Sequence, residues 1–84
     1  FGADLQSVYT YTKANGDVFK KVTLHYANND KWQMVSKDAY PFEFTLPVPR
    51  DTYEFKFRYE GITVNGIKAN SDYGVLHRQQ GKLK

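Results

Sequence analysis

The chain has 84 residues, no cysteine and a formal net charge of +3. That length makes one small domain, whose core must be dense in large side chains because a short chain buries a limited fraction of its surface. The lack of cysteine excludes a disulfide framework, a thiolate nucleophile and a Cys-based zinc site, and no stretch is long and apolar enough to span a membrane.

In chain order, nearly everything reads as strand and turn. Val8 to Thr12 is β-branched and aromatic, with Val8, Thr10 and Thr12 on one face and Tyr9 and Tyr11 on the other. Ala14-Asn15-Gly16-Asp17 is a turn, since Asn-Gly takes positive φ readily. Val18 to Tyr26 is a second strand, with Val22, Leu24 and Tyr26 on one face and Lys21, Thr23 and His25 on the other. Asn28 to Asp30 is a polar loop, and Trp32 to Val35 a short third strand. Phe42 to Leu46 alternates again, with Phe42, Phe44 and Leu46 inward. Pro47-Val48-Pro49 is expected to stop it, because proline cannot donate to a ladder. Tyr53 to Glu60 carries the strongest pattern, with Phe55, Phe57 and Tyr59 inward and Glu54, Lys56, Arg58 and Glu60 outward. Ile62 to Ile67 reads as a tight hairpin turning at Asn65-Gly66, and Val75 to His77 as a last strand.

Hydrophobic spacing of period 3.6 nowhere persists long enough for a helix. Short strands at close intervals predict an all-β antiparallel sandwich or small barrel over residues 1–78, followed by a polar tail or linker at 79–84. The chain begins at Phe1 rather than Met, which reads as a processed or excised piece.

The composition argues against catalysis. His25 and His77 lie in no HxH or HExxH spacing, so no metal site is expected. Ser7, Ser36 and Ser71 have no nucleophile-elbow context. Glu43, Glu54 and Glu60 alternate with apolar residues as solvent-facing strand positions do, and paired acids for glycoside hydrolysis need a cleft that so small a domain rarely encloses. Lys20, Lys21, Lys56, Arg58, Arg78, Lys82 and Lys84 are interleaved with acids and read as a solvated surface.

Binding is the better reading. Aromatic residues make up 17% of the chain, with seven tyrosines and a single tryptophan, more than a core of this size needs. A ring exposed on a β-surface can stack on the apolar face of a sugar or on a nucleobase, and amides beside it can donate to and accept from hydroxyls. Asn28, Asn29 and Asp30 beside Trp32 supply that mix, as do Asn65, Asn70 and Asp72 beside Tyr73. Trp32 serves equally well, on composition alone, as a core residue closing one end of the sandwich.

The run Phe19-Lys20-Lys21-Val22-Thr23-Leu24-His25-Tyr26, followed by Asp30-Lys31-Trp32, resembles the K-K-V-x-x-x-Y … D-x-W block of carbohydrate-binding module family 21. That family includes the starch-binding domain of a fungal glucoamylase and the glycogen-targeting subunits of protein phosphatase 1. Phe42-Glu43-Phe44 resembles its F-x-F strand, and Tyr53 to Glu60 its E-F-x-I-x-Y-E strand. Asn70-Ser71-Asp72-Tyr73-Gly74-Val75 resembles the end of its asparagine-rich segment. The resemblance runs from about Asn15 to Val75 in the family's order. It implies an immunoglobulin-like β-sandwich that binds α-1,4-glucans such as starch and glycogen without catalysis or cofactor. It puts Trp32 at the main stacking position, with Asn28, Asn29 and Asp30 beside it, Asn15 and Lys20 at a second polar site, and Asn70 and Tyr73 in the asparagine-rich segment. The family's second platform ring has no counterpart in Gly66-Ile67-Lys68-Ala69, which implies weak binding helped by avidity from a neighbouring catalytic or scaffold domain. Location follows the parent: extracellular beside a secreted amylolytic enzyme, cytoplasmic otherwise.

Two other readings compete. A sandwich that docks protein predicts a buried Trp32 and an apolar patch elsewhere. A single-strand nucleic-acid binder is suggested by basic residues interleaved with aromatics in 53–58, but Phe55 and Phe57 read as core and Glu54 and Glu60 share the outer face, so no nucleic-acid partner is expected.

Overall fold

Alternating apolar and polar side chains have one low-energy use, a strand with one face buried, and the chain uses it throughout. A computed structural model describes residues 3–9, 12–14, 16–71 and 73–84. Among these residues there is no helix. The strands are β1 (Ala3–Tyr9), β2 (Lys13–Ala14), β3 (Asp17–Asn28), β4 (Lys31–Lys37), β5 (Glu43–Pro49), β6 (Glu54–Thr63), β7 (Lys68–Asn70), β8 (Gly74–Gln79) and β9 (Lys82–Leu83). Every ladder between them is antiparallel.

The strands form two sheets. The larger follows the order β2-β3-β6-β8-β9, with β4 also on β3 and β7 also on β6. β3 and β6 are its long central strands, paired from Phe19↔Thr63 to Asn28↔Phe55. The outer edge of β3 is shared by β2 and β4, and that of β6 by β7 and β8. The smaller sheet is β1 against β5. It closes over one face of the larger sheet, so that Val8, Phe42, Phe44, Leu46 and Val48 join Phe19, Val22, Leu24 and Phe55 in one buried cluster. The architecture is an antiparallel β-sandwich.

A bulge sets the phase of β3. Its register against β6 shifts between Phe19 and Lys21, leaving Lys20 as the extra residue. Phe19 and Val22 both reach the core across this irregularity, although simple alternation would put them on opposite faces. Gly61 makes room for Phe19: a methyl group there would lie 2.5 Å from its ring.

Three features depart from the sequence reading. First, β1 starts at Ala3, earlier than the Val8 start expected, because the weakly β-forming Ala3 to Ser7 is held by its ladder to β5 rather than by propensity. Thr10 and Tyr11 lie outside the described residues. Second, Pro47 and Pro49 do not stop β5, which continues through both. Among the described residues β5 pairs only with β1, and two prolines at alternate positions turn their N–H-less nitrogens to its other edge, where no ladder is lost. Third, residues 79–84 are not a free tail. β8 turns at Gln80 and Gly81, both at positive φ, and β9 pairs back through Arg78↔Leu83. His77 and Lys84 exchange two backbone hydrogen bonds of 3.0 Å, and Leu83 packs against the core.

Candidate functional site

The loop before Trp32 is a two-residue hairpin turn. Asn28 pairs with Lys31, and Asn29 and Asp30 between them have φ of 52° and 71°. Positive φ at both central positions is the turn that matches strand twist, and Asn and Asp are the side chains that tolerate it. Asn29 then ties the hairpin to the start of β6. Its Oδ1 accepts from the N–H groups of Tyr53 (3.0 Å) and Glu54 (3.2 Å), and its Nδ2 donates to the Asp51 carbonyl (3.1 Å). Asn28 Oδ1 accepts from the Thr52 hydroxyl at 3.4 Å. Asp30 binds the Lys56 ammonium at 3.0 Å, and Glu54 takes it at 3.3 Å. The Asp30 and Glu54 carboxylates hold the Lys56 pKa above its ordinary value.

Trp32 itself stands on β4, on the outer face of the larger sheet. Register fixes its neighbours. Trp32 faces Ala27, Ala27 faces Lys56, and Lys56 faces Val75, one row across four strands. The adjacent row runs Met34, His25, Arg58. Tyr73 immediately precedes Gly74, the residue opposite Phe57, and so arrives beside Arg58. Trp32 is 47% exposed and Tyr73 63% exposed. Their ring centroids are 5.9 Å apart and the planes meet at 71°. The two rings thus meet above β3 and β6 from opposite edges. With His25 and Arg58 they line an open cleft of about 250 Å³.

The floor of the cleft is polar. His25 Nε2 lies 3.9 Å from a Glu60 carboxylate oxygen, is shielded from solvent, and has no hydrogen-bond partner among the described residues. Arg58 is half-buried, and among the described residues its guanidinium makes no ion pair or hydrogen bond. Beyond the cleft, Glu54 also meets His77 at 3.3 Å. No group of three His, Asp or Glu side chains among the described residues converges to hold a metal ion.

The remaining candidates sit elsewhere. Asn70, opposite Glu60 on β7, lines a separate hollow of about 160 Å³ with Lys13, Phe19 and Tyr59. The Tyr59 hydroxyl is buried without a hydrogen-bond partner among the described residues, and burial pushes its pKa up to about 12. Lys20 is the exposed residue of the β3 bulge, and Asn15 lies outside the described residues. The fold therefore brings together Trp32 and Tyr73 of the expected set and adds His25 and Arg58, which read in sequence as ordinary outward strand positions. Their signal was the shared outward phase of two strands; what was missing was the register that aligns them.

No family model, no curated protein and no solved structure matches this chain.

Proposed function

We propose that the chain is a non-catalytic module that binds α-1,4-glucans such as starch or glycogen, on a sandwich of the immunoglobulin-like kind. The observation that carries this reading is the exposed Trp32–Tyr73 pair above His25 and Arg58. An indole face offers the apolar C–H face of a glucose ring a matching surface, and the guanidinium and imidazole beside it can bind hydroxyls. Two coplanar rings suit a flat ribbon of sugars. Rings at 71° form an angled pair of walls, which suits a chain that curves, as α-1,4-linked glucose does. The cleft is shallow and short, so single-site affinity is expected to be low and to gain from a tethered second site.

The test uses the single tryptophan as reporter. Maltoheptaose is expected to quench its fluorescence, and the chain to be retained on insoluble starch. Trp32→Ala is expected to abolish retention, and Tyr73→Ala to weaken it, with circular dichroism unchanged because both side chains are exposed. An unaltered wild-type spectrum together with no retention on starch would remove the proposal.

A second reading, a face that docks protein, expected a buried Trp32 and an apolar patch elsewhere, whereas Trp32 is exposed; what favours it is the apolar pair Met34 and Val75 beside the rings. They are 67% and 45% exposed and flank the rings on the same face. It takes over if the wild-type chain binds no glucan.

A further inference from the structure

The outer face of β6 presents Glu54, Lys56, Arg58 and Glu60 in a line. Three of them have partners: Glu54 and Lys56 in the network with Asp30 and His77, and Glu60 beside His25. Arg58 has none among the described residues, and it stands half-buried in the cleft that it lines with Trp32 and Tyr73. A charge withdrawn from water in this way is stabilised when an opposite charge meets it, and the surrounding rings strengthen that attraction by excluding solvent. The planar guanidinium fork matches the two oxygens of a carboxylate or phosphate. In the same cleft, the shielded His25 Nε2, which makes no hydrogen bond among the described residues, supplies a further polar atom to a group placed there. Glu60, two residues along the same face, lies 3.9 Å from His25, and Asp30 and Glu54 pair with Lys56, which leaves Arg58 as the cation of this row open to an incoming anion.

We propose that the sugar chain held by Trp32 and Tyr73 carries an anionic substituent, a phosphate monoester or a carboxylate, which Arg58 binds. This rests on the glucan-binding reading and names the ligand more closely. A neutral glucan offers Arg58 only hydroxyls, so the preference between charged and neutral chains measures the interaction.

The experiment compares three probes by calorimetry on the whole chain: maltoheptaose, maltoheptaose bearing a 6-phosphate, and the same oligosaccharide oxidised to a 6-carboxylate. At least one charged probe is expected to bind about tenfold more tightly than the neutral one, the scale of a charge-assisted hydrogen-bonded pair. That preference should shrink at high salt. It should vanish in Arg58→Gln and survive in part in Arg58→Lys, where the charge stays but the fork is lost. Equal wild-type affinity for all three probes overturns the anionic assignment and leaves the glucan-binding reading intact. Binding of none of them overturns that reading as well.

Discussion

At the scale of the residue, Tyr59 and Asn29 show how a single polar group is settled or left unsettled by its surroundings. The Tyr59 hydroxyl is buried without a hydrogen-bond partner among the described residues, and burial raises its pKa from 10.0 to about 12. Between those values the unfolded chain loses a proton that the folded chain keeps. Stability is therefore full below pH 10 and falls as the pH rises toward 12. Tyr59→Phe removes both the slope and an unmet hydrogen bond. It is expected to raise stability by about 1 kcal/mol at neutral pH and to flatten the loss above pH 10, both measurable by urea denaturation across pH. A slope that persists in the variant would assign the titration to another group, such as Lys56, whose pKa is also raised. Asn29 is the opposite case, with every side-chain polar atom engaged and φ at 52°. Asn29→Ala loses three hydrogen bonds and strains the turn, for an expected cost of about 2–3 kcal/mol. Asn29→Gly keeps the turn conformation and should cost distinctly less by the same denaturation assay.

At the scale of the element, β8 approaches β6 only because residue 74 has no side chain. A methyl group on Gly74 would lie 2.4 Å from the Phe57 ring. Gly74→Ala must push β8 or the ring aside, at about 1–3 kcal/mol, and it displaces the neighbouring Tyr73. Loss of stability together with weakened starch retention is the expected outcome; retention at wild-type strength would uncouple Tyr73 from β8. The prolines of β5 illustrate the same scale. Proline is a breaker only where its missing N–H is needed, and on an edge strand it also guards the open edge against further pairing.

At the scale of the whole molecule, a small sheet of two strands covers one face of a larger one, and the exposed opposite face carries the cleft. The division explains why the same alternation serves core and site at once: inward residues of β3 and β6 build the core, and their outward neighbours His25 and Arg58 floor the cleft. The C-terminal hairpin belongs to this whole. Leu83 packs on the core, and Arg78 donates to the carbonyls of Thr52 (2.8 Å), Gly81 (3.1 Å) and Pro49 (3.3 Å), joining the two sheets. Deleting residues 80–84 is expected to lower stability by about 1–2 kcal/mol, the value of a partly buried leucine, with a reduced thermal midpoint as the readout. An unchanged midpoint would make the hairpin dispensable.

The amino-acid sequence by itself determined the all-β class, the inward faces of Val22, Leu24, Phe42, Phe44, Leu46 and Phe55, and the turn at Asn65-Gly66, where Gly66 has φ of 83°. These are local properties. The period-2 geometry of a strand and the conformational freedom of a turn residue act within a few positions, and so can be read from a few positions. Tertiary structure alone decided the rest. Lys20 became a bulge, Pro47 and Pro49 stayed in a strand, and residues 79–84 became a hairpin, each because of a partner strand distant in sequence or a sheet edge that local pattern does not reveal. It also decided that Trp32 meets Tyr73 above His25 and Arg58. That meeting depends on the register of β4 on β3, of β3 on β6 and of β8 on β6, and a slip of one residue in any of them would turn one of these side chains to the other face.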